Sequence, residues 1–177
     1  MLERLGSLRP RTVLAGAIAT ALIAAGLFLV WPMPAVEEIA GPILDTRFMA
    51  SGTDAADYLD ALGAEGRRLY TILAVGDLLW AILHGLTVAA VIAVGARRCS
   101  LDGRWARLAV FALAYLVLDV VENSSILAAL AAHPDPQPVP AIVMDLVTSA
   151  KFVALGVAYL GMVVVLAAWA RGARTGG

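Results

Sequence analysis

The sequence predicts an all-α fold: a polytopic membrane four-helix bundle with a short amphipathic helix in its first outer loop. Three observations predict it. The 177 residues are 61% hydrophobic with a mean hydropathy of +0.85, the composition of a chain whose solvent is mostly lipid. Four apolar runs, residues 12–31, 69–96, 108–132 and 140–170, each suffice to cross ~30 Å of hydrocarbon at ~1.5 Å per residue. Nine of the twelve arginines (4, 9, 11, 97, 98, 104, 107, 171, 174) fall at the N-terminus, the 97–107 link and the C-terminus, against Arg47, Arg67 and Arg68 elsewhere. By the positive-inside rule this asymmetry predicts a multi-pass protein with both termini cytoplasmic, its expected place being the inner (cytoplasmic) membrane. Residues 1–177 read as a single transmembrane domain.

The first run carries no charge and follows Arg4, Arg9 and Arg11. It is longer than the apolar core of a signal peptide, and Met33-Pro34-Ala35 is a poor cleavage site, so it reads as a retained helix. Ala15, Gly16, Ala19, Ala24 and Gly26 suit close backbone packing, and Thr20 is its one polar offering, which assigns it a structural role. Residues 32–68 form the first outer loop, with seven acids against three arginines and with Pro32, Pro34, Gly41 and Pro42 breaking its start. Within it Thr53 is placed to N-cap a short helix with Asp54 and Asp57 in its first turn. Ala55, Tyr58, Leu59 and Leu62 lie on one face, and Gly63 is the stop. The ordinary expectation is a connector resting on the bundle; the sharper one is a lid over an opening. The second outer loop, 133–140, is stiffened by prolines and puts Pro140 at the first turn of the last helix. Cys99 is the only cysteine, so no intrachain disulfide forms. No basic run with interleaved aromatics points to nucleic acid.

Polar residues inside the apolar runs carry the functional signal. The second run holds Asp77 and His84, the third Asp119, Glu122 and Asn123, the fourth Asp145 and Lys151. A charged side chain near the bilayer centre costs ~2.5–3.5 kcal/mol, so the five charged ones cost about 12–17 kcal/mol together unless they meet one another. Lys151 is also the only lysine beside twelve arginines. An ammonium is compact and can be deprotonated when buried, which guanidinium is not. Counted inward from the outer helix ends, Asp145 lies ~8 Å deep, Asp77 ~12 Å, Glu122 ~15 Å, and Lys151, Asp119 and His84 roughly 17–23 Å. These depths make one layer in the outer half and middle of the membrane.

The helical faces agree with the layer. Tyr115, Asp119, Glu122 and Asn123 follow i, i+4, i+7, i+8, while Tyr70, Asp77 and His84 repeat at seven. On the fourth run Asp145, Thr148, Ser149 and Phe152 share a face, and Lys151 is i+3 from Thr148. The Asn123-Ser124-Ser125 sequon falls within a membrane run and is discarded. Taken singly, an intramembrane Asn is usually interhelical glue and His84 a satisfied packing residue. Four acids against one lysine are different. In low dielectric they cannot all be ionised, so some hold protons, pair with His84 as imidazolium, or bind a cation.

Residue types discriminate among these states. A haem, copper or zinc centre wants several His or Cys ligands, and His84 stands alone, so no cofactor or metal is expected. Oxygen ligation of a hard cation by Asp77, Asp119, Glu122 and Asn123 would compete with Lys151. Acid–base work fits better, since a protonated carboxylate beside an ionised one donates and accepts protons at neutral pH. No nucleophile elbow, phosphate-binding glycine loop or metalloprotease signature occurs.

Leu44-Asp45-x-Arg47, then Tyr58-Leu59-x-x-Leu62-Gly63-x-x-Gly66-Arg67-x-x-Tyr70 running into Asp77, then Asp119-x-x-Glu122-Asn123 and Thr148-x-x-Lys151, resemble a set of uncharacterised bacterial four-helix membrane proteins. The resemblance covers about residues 44–152 and implies no activity. In architecture only, the chain is similar to the emopamil-binding and sigma-receptor-type group, in which acids inside a small helical bundle hold a cationic or lipid-like ligand.

The expected function is therefore an acidic, lysine-containing cavity in the outer half of the bilayer that binds a small or lipid-like molecule and performs proton transfer on it. Asp119, Glu122 and Lys151 are the expected catalytic group. Asp77, Asn123, Asp145, His84, Tyr115, Thr148 and Tyr70 are the expected binding shell. The expected partners are membrane lipid and that ligand. Proton- or cation-coupled transport is the first alternative, and a non-catalytic subunit of a homo-oligomer or membrane complex, with the polar network setting helix register, is the second.

Overall fold

The computed structural model describes residues 1–44, 52–134 and 141–175, with side chains described over 1–44, 56–134 and 146–171. Within these residues every regular element is helical. In order they are α1 (Leu2–Gly6), α2 (Pro10–Ala24) continued by a π-helical turn (Ala25–Val30), α3 (Met33–Ala40), α4 (Gly52–Ala61), α5 (Gly63–Arg98), α6 (Gly103–Arg107), α7 (Ala109–Ala132) and α8 (Ala141–Thr175). Four stretches, Pro10–Ala40, Gly63–Arg98, Gly103–Ala132 and Leu146–Arg171, are long and apolar enough to cross a membrane.

Helix α5 is the axis of the bundle and packs against α1, α2, α3, α6, α7 and α8. Its composition explains why. Glycines and alanines let the neighbours approach its backbone: a Cβ on Gly85 would sit 2.8 Å from Leu116 Cβ and 3.0 Å from the Ala112 carbonyl oxygen. Gly76 lies as close to Leu27, and Gly16 of α2 to Thr87. Of the small residues expected to draw the first helix inward, Gly16 thus makes a close contact, whereas a Cβ on Gly26 would meet open space.

Two apolar clusters form along α5. One gathers Val36, Ile43, Leu44, Tyr58, Leu59 and Leu62 over Leu69, Tyr70, Leu73, Ala74 and Ile126. The other joins Val88, Ala89, Ile92 and Ala96 to Ala109, Ala112, Ala158 and Val165. Between them, at the level of Asp77, Asp119 and Lys151, the interior is polar.

The expected elements are present, with four departures. Pro32 sits at the break between the π-helical turn and α3, but Pro34 does not break the start of the first outer loop. Pro34 lies within the first two positions of α3, where proline has no hydrogen-bonded N–H to lose and its φ suits the helix. The second long helix begins at Gly63 rather than Leu69, so Arg67 and Arg68 are helical; the Arg67 guanidinium donates to the Leu59 carbonyl at 3.0 Å and Arg68 pairs with Glu65 at 2.7 Å. A short helix α6 interrupts the 97–107 link, its Asp102 N-cap accepting from the Arg104 N–H at 3.2 Å. Finally, α1 folds onto the end of α5 with Leu2 and Leu5 against the second cluster.

Helix α4 ends where Gly63 adopts φ +60°, a left-handed conformation that glycine takes at little cost. Tyr58, Leu59 and Leu62 are buried, so α4 rests on the bundle as a connector would. Asp45, Arg47, the side chains of Thr53, Asp54 and Ala55, Pro140 and the Asp145 side chain lie outside the described residues.

Candidate functional site

Three helices bring six side chains into one hydrogen-bonded group. On α7 the i, i+3, i+4 spacing of Asp119, Glu122 and Asn123 turns all three toward α5 and α8, and each is almost fully buried. The Asn123 amide donates to Asp77 Oδ2 of α5 at 3.1 Å and to Asp119 Oδ2 at 2.9 Å, holding two carboxylates apart with one nitrogen. Lys151 of α8 lies between the other acids, with Nζ 3.1 Å from Asp119 Oδ1 and in contact with Glu122 Oε2. Thr148, one turn before it, donates to Glu122 Oε1. The chain of contacts runs Asp77, Asn123, Asp119, Lys151, Glu122, Thr148 without a break.

A cavity of about 230 Å³ adjoins one edge of this group. Asp77, Asp119 and Lys151 form its polar wall. Phe28, Trp80, Tyr115 and Phe152 form the aromatic walls, and Met33, Ile43 and Leu155 complete it. Phe28 is brought in by the π-helical turn that ends α2, and it meets Trp80 edge-on at 5.1 Å. Trp80 is fixed in turn by its indole N–H, which donates to the Thr20 carbonyl at 3.0 Å. The first helix therefore supplies a wall of the cavity as well as packing surface. Met33, the first residue of α3, and Ile43, just beyond its end, border the cavity; none of the described α4 side chains does.

Of the expected site residues, Asp77, Asp119, Lys151 and Tyr115 line the cavity, and Glu122, Asn123 and Thr148 stand behind them in the network. Two are not brought in. Tyr70 is buried in the first apolar cluster, edge-on to Tyr58 at 5.8 Å, two turns along α5 from Asp77. His84 stacks on Trp80 at 4.5 Å and shares a 2.8 Å hydrogen bond with the Tyr159 hydroxyl. The seven-residue repeat that linked Tyr70, Asp77 and His84 keeps them on one face of α5 but spreads them ~10 Å apart per step, farther than one small cavity reaches.

The aromatic walls were missed by a reading that sought charge. Trp80 is i+3 from Asp77 and Leu155 is i+4 from Lys151, so the face of the charged residues would have found both. Phe28 and Ile43 come from elsewhere in the chain and carry no such signal.

The contacts decide what the group can do. Lys151 Nζ occupies the space between Asp119 and Glu122 where a bound cation would lie, and among the described residues no three His, Cys, Asp or Glu side chains converge as metal ligands. In the polar wall the carboxylates of Asp77 and Asp119 stand beside one ammonium, Lys151, with Glu122 behind it. Comparison with protein-family models, curated proteins and solved structures finds no match, so geometry alone carries the functional reading.

Proposed function

We propose that the chain is an integral membrane protein of four spans whose cavity binds a small amphiphile with a cationic or hydroxyl head, and that Asp119, Glu122 and Lys151 move a proton on it. The observation that carries this reading is the cavity itself. A network serving only to register helices would be sealed by apolar packing, whereas this one adjoins a void of about 230 Å³ walled by four aromatic rings. A dry apolar cavity of ~150 Å³ already accepts benzene, so the volume suits a ring or a short chain segment. Trp80, Tyr115 and Phe28 beside acids make a wall suited to a cationic or amphipathic group. Support for membrane insertion comes from the outward faces, where Leu22 is 69% exposed, Leu79 64% and Val153 67%, a surface that soluble monomers rarely present.

A thermal-shift screen of the purified protein tests the binding. Amphiphiles with one cationic or hydroxyl group should raise the midpoint, by about 2.7 kcal/mol of stabilisation at a hundredfold excess over Kd, and Leu155→Trp, which fills the cavity and leaves the acids in place, should remove the shift. If divalent cations alone stabilise the protein, the cavity is a cation site and the reading fails. The proton-transfer step predicts exchange of a ligand C–H hydrogen with deuterated solvent, abolished by Glu122→Gln. A relay reading has one observation in its favour, the His84–Tyr159 hydrogen bond beyond Tyr115. It requires proton flux in proteoliposomes that His84→Phe removes.

A further inference from the structure

A second cavity lies away from the acids, where α2 and α8 flank α5. It measures about 410 Å³ and is walled by Pro10, Val13, Ala17, Val91, Met162 and Trp169, with Arg11 as its one charged member. By register it extends from the level of Ala17 and Val91 to that of Pro10 and Gly95, a length of ~10 Å along the helices. A polar cleft of about 320 Å³, lined by Gly6, Ser7, Leu8, Arg97 and Arg98, begins two residues further along both strands of the same corner: Leu8 precedes Pro10, and Arg97 follows Gly95. Helix α1 closes this corner tightly. A Cβ on Gly6 would sit 2.7 Å from Arg97 Cδ, so the arginine stem runs across the glycine and its head is exposed.

Charge at this corner is unbalanced. Among the described residues no carboxylate lies within ion-pair distance of Arg11, Arg97 or Arg98, and the nearby Asp102 pairs with Arg104 at 3.5 Å. An apolar slot between long apolar helices, ending in three uncompensated guanidiniums, matches a molecule with an aliphatic tail and an anionic head. Basic pockets at the ends of membrane helices recognise acidic lipid headgroups in this way, and guanidinium is suited to bidentate phosphate contact. Trp169 beside the slot is the amphipathic aromatic expected at headgroup level.

We infer that this corner is a binding site for one anionic phospholipid, with an acyl chain in the α2/α5/α8 slot and the phosphate on Arg11, Arg97 and Arg98. It is separate from the acidic cavity and rests only on the membrane-spanning part of the reading above. Chain and head are both required. The slot alone would accept any lipid tail, and the arginines alone any phosphate; together they select an acidic lipid over a zwitterionic one with the same chains.

The test uses the full-length protein in detergent, titrated with dioleoyl phosphatidylglycerol, with dioleoyl phosphatidylcholine, or with inorganic phosphate, and read by thermal midpoint and native mass spectrometry. Phosphatidylglycerol should bind roughly a hundredfold more tightly than phosphatidylcholine, and the preference should weaken with salt. Arg11→Gln with Arg98→Gln, both exposed and clear of Gly6, should reduce the preference roughly twenty-five-fold, about fivefold for each arginine. Ala17→Phe, which fills the slot, should weaken both lipids and leave the arginines in place. Equal binding of the two lipids overturns the inference, as does a preference that survives the arginine substitutions or lipid binding that Ala17→Phe leaves unchanged. A midpoint shift with inorganic phosphate equal to that with phosphatidylglycerol overturns it in favour of a free-anion site. Failure of the membrane reading is a distinct result: the protein would not float with liposomes of phosphatidylcholine alone.

Discussion

Lys151 is the residue on which the candidate site turns. With one buried ammonium touching two buried carboxylates, removing it leaves Glu122 and Asp119 facing each other without a counter-charge, which typically costs 3–5 kcal/mol, whereas removing both partners costs far less. Lys151→Met is therefore expected to destabilise the protein by about 3–5 kcal/mol, measured as reversible unfolding in micelles. Adding Glu122→Gln should recover part of that loss, a coupling that independent sites would not show. Asn123→Ala should cost about 1–3 kcal/mol, because its amide donates to both Asp77 and Asp119, and should also abolish ligand binding by letting the polar wall rearrange. An unchanged midpoint for Asn123→Ala would show that the carboxylates are satisfied without it. At this scale the sequence is unusually legible, since a charge within an apolar run is costly enough to stand out alone. Asp77, Asp119, Glu122, Asn123, Thr148 and Lys151 were readable from spacing, and all six form one connected group. His84 and Tyr70 were not separable from them, because a seven-residue repeat fixes the face of a helix but not the height at which a neighbouring helix supplies a partner.

Helix α4 shows how an element is held by different forces of unequal size. The exposed Asp60 carboxylate meets His133 of the turn after α7 at 2.7 Å, and Leu59, 1% exposed, is sunk into the first apolar cluster beside Tyr58 and Leu62. A polar contact with one exposed partner is worth at most ~1 kcal/mol, whereas truncating a buried leucine costs about 2–5 kcal/mol. Leu59→Ala should therefore release α4, seen as loss of amide hydrogen-exchange protection over 56–61, while Asp60→Ala should change it little. Equal effects would mean that the ion pair carries the docking. The same reasoning applies where α5 meets α7. Gly85→Val would press a branched side chain on Leu116 Cβ and on a backbone carbonyl that cannot rotate away, so the helices must separate, at a cost of about 1–3 kcal/mol. The amphipathic pattern of 55–62 and the stop at Gly63 made α4 legible. Helix α3 was not, because Pro34 reads as a breaker, and only its position in a first turn renders it harmless. Nor was the central place of α5, which depends on which glycines face a neighbour.

Over the whole molecule a formal net charge of −1 conceals two poles. Asp77, Asp119 and Glu122 gather in the interior between α5, α7 and α8, and Arg11, Arg97 and Arg98, which form no ion pair among the described residues, at the end of α5 beside α1 and α2. Span number and arginine asymmetry were legible because hydropathy and loop charge are sums over many residues and tolerate local error. The cavity was not, since its walls come from five separated stretches of chain. If the poles are oriented by the positive-inside rule, the arginine corner faces the cytoplasm and the α3–α4 segment the opposite side. In a Cys99→Ser background, Asp57→Cys and Arg104→Cys introduce thiols at exposed positions near the two poles, and neither parent side chain belongs to the acidic network. A membrane-impermeant maleimide applied to spheroplasts should label position 57 and should reach position 104 only after the cells are opened. Labelling of both from outside would deny a bilayer between them, and the reverse order would put the acidic cavity in the inner half of the membrane. Moving charge supplies the causal test: replacing Arg97, Arg98, Arg104 and Arg107 with glutamine while adding arginines near Asp57 should produce a mixed or inverted population, because orientation follows the lysine and arginine bias of short loops. A population that stays uniform and unchanged would show that some other feature fixes the insertion.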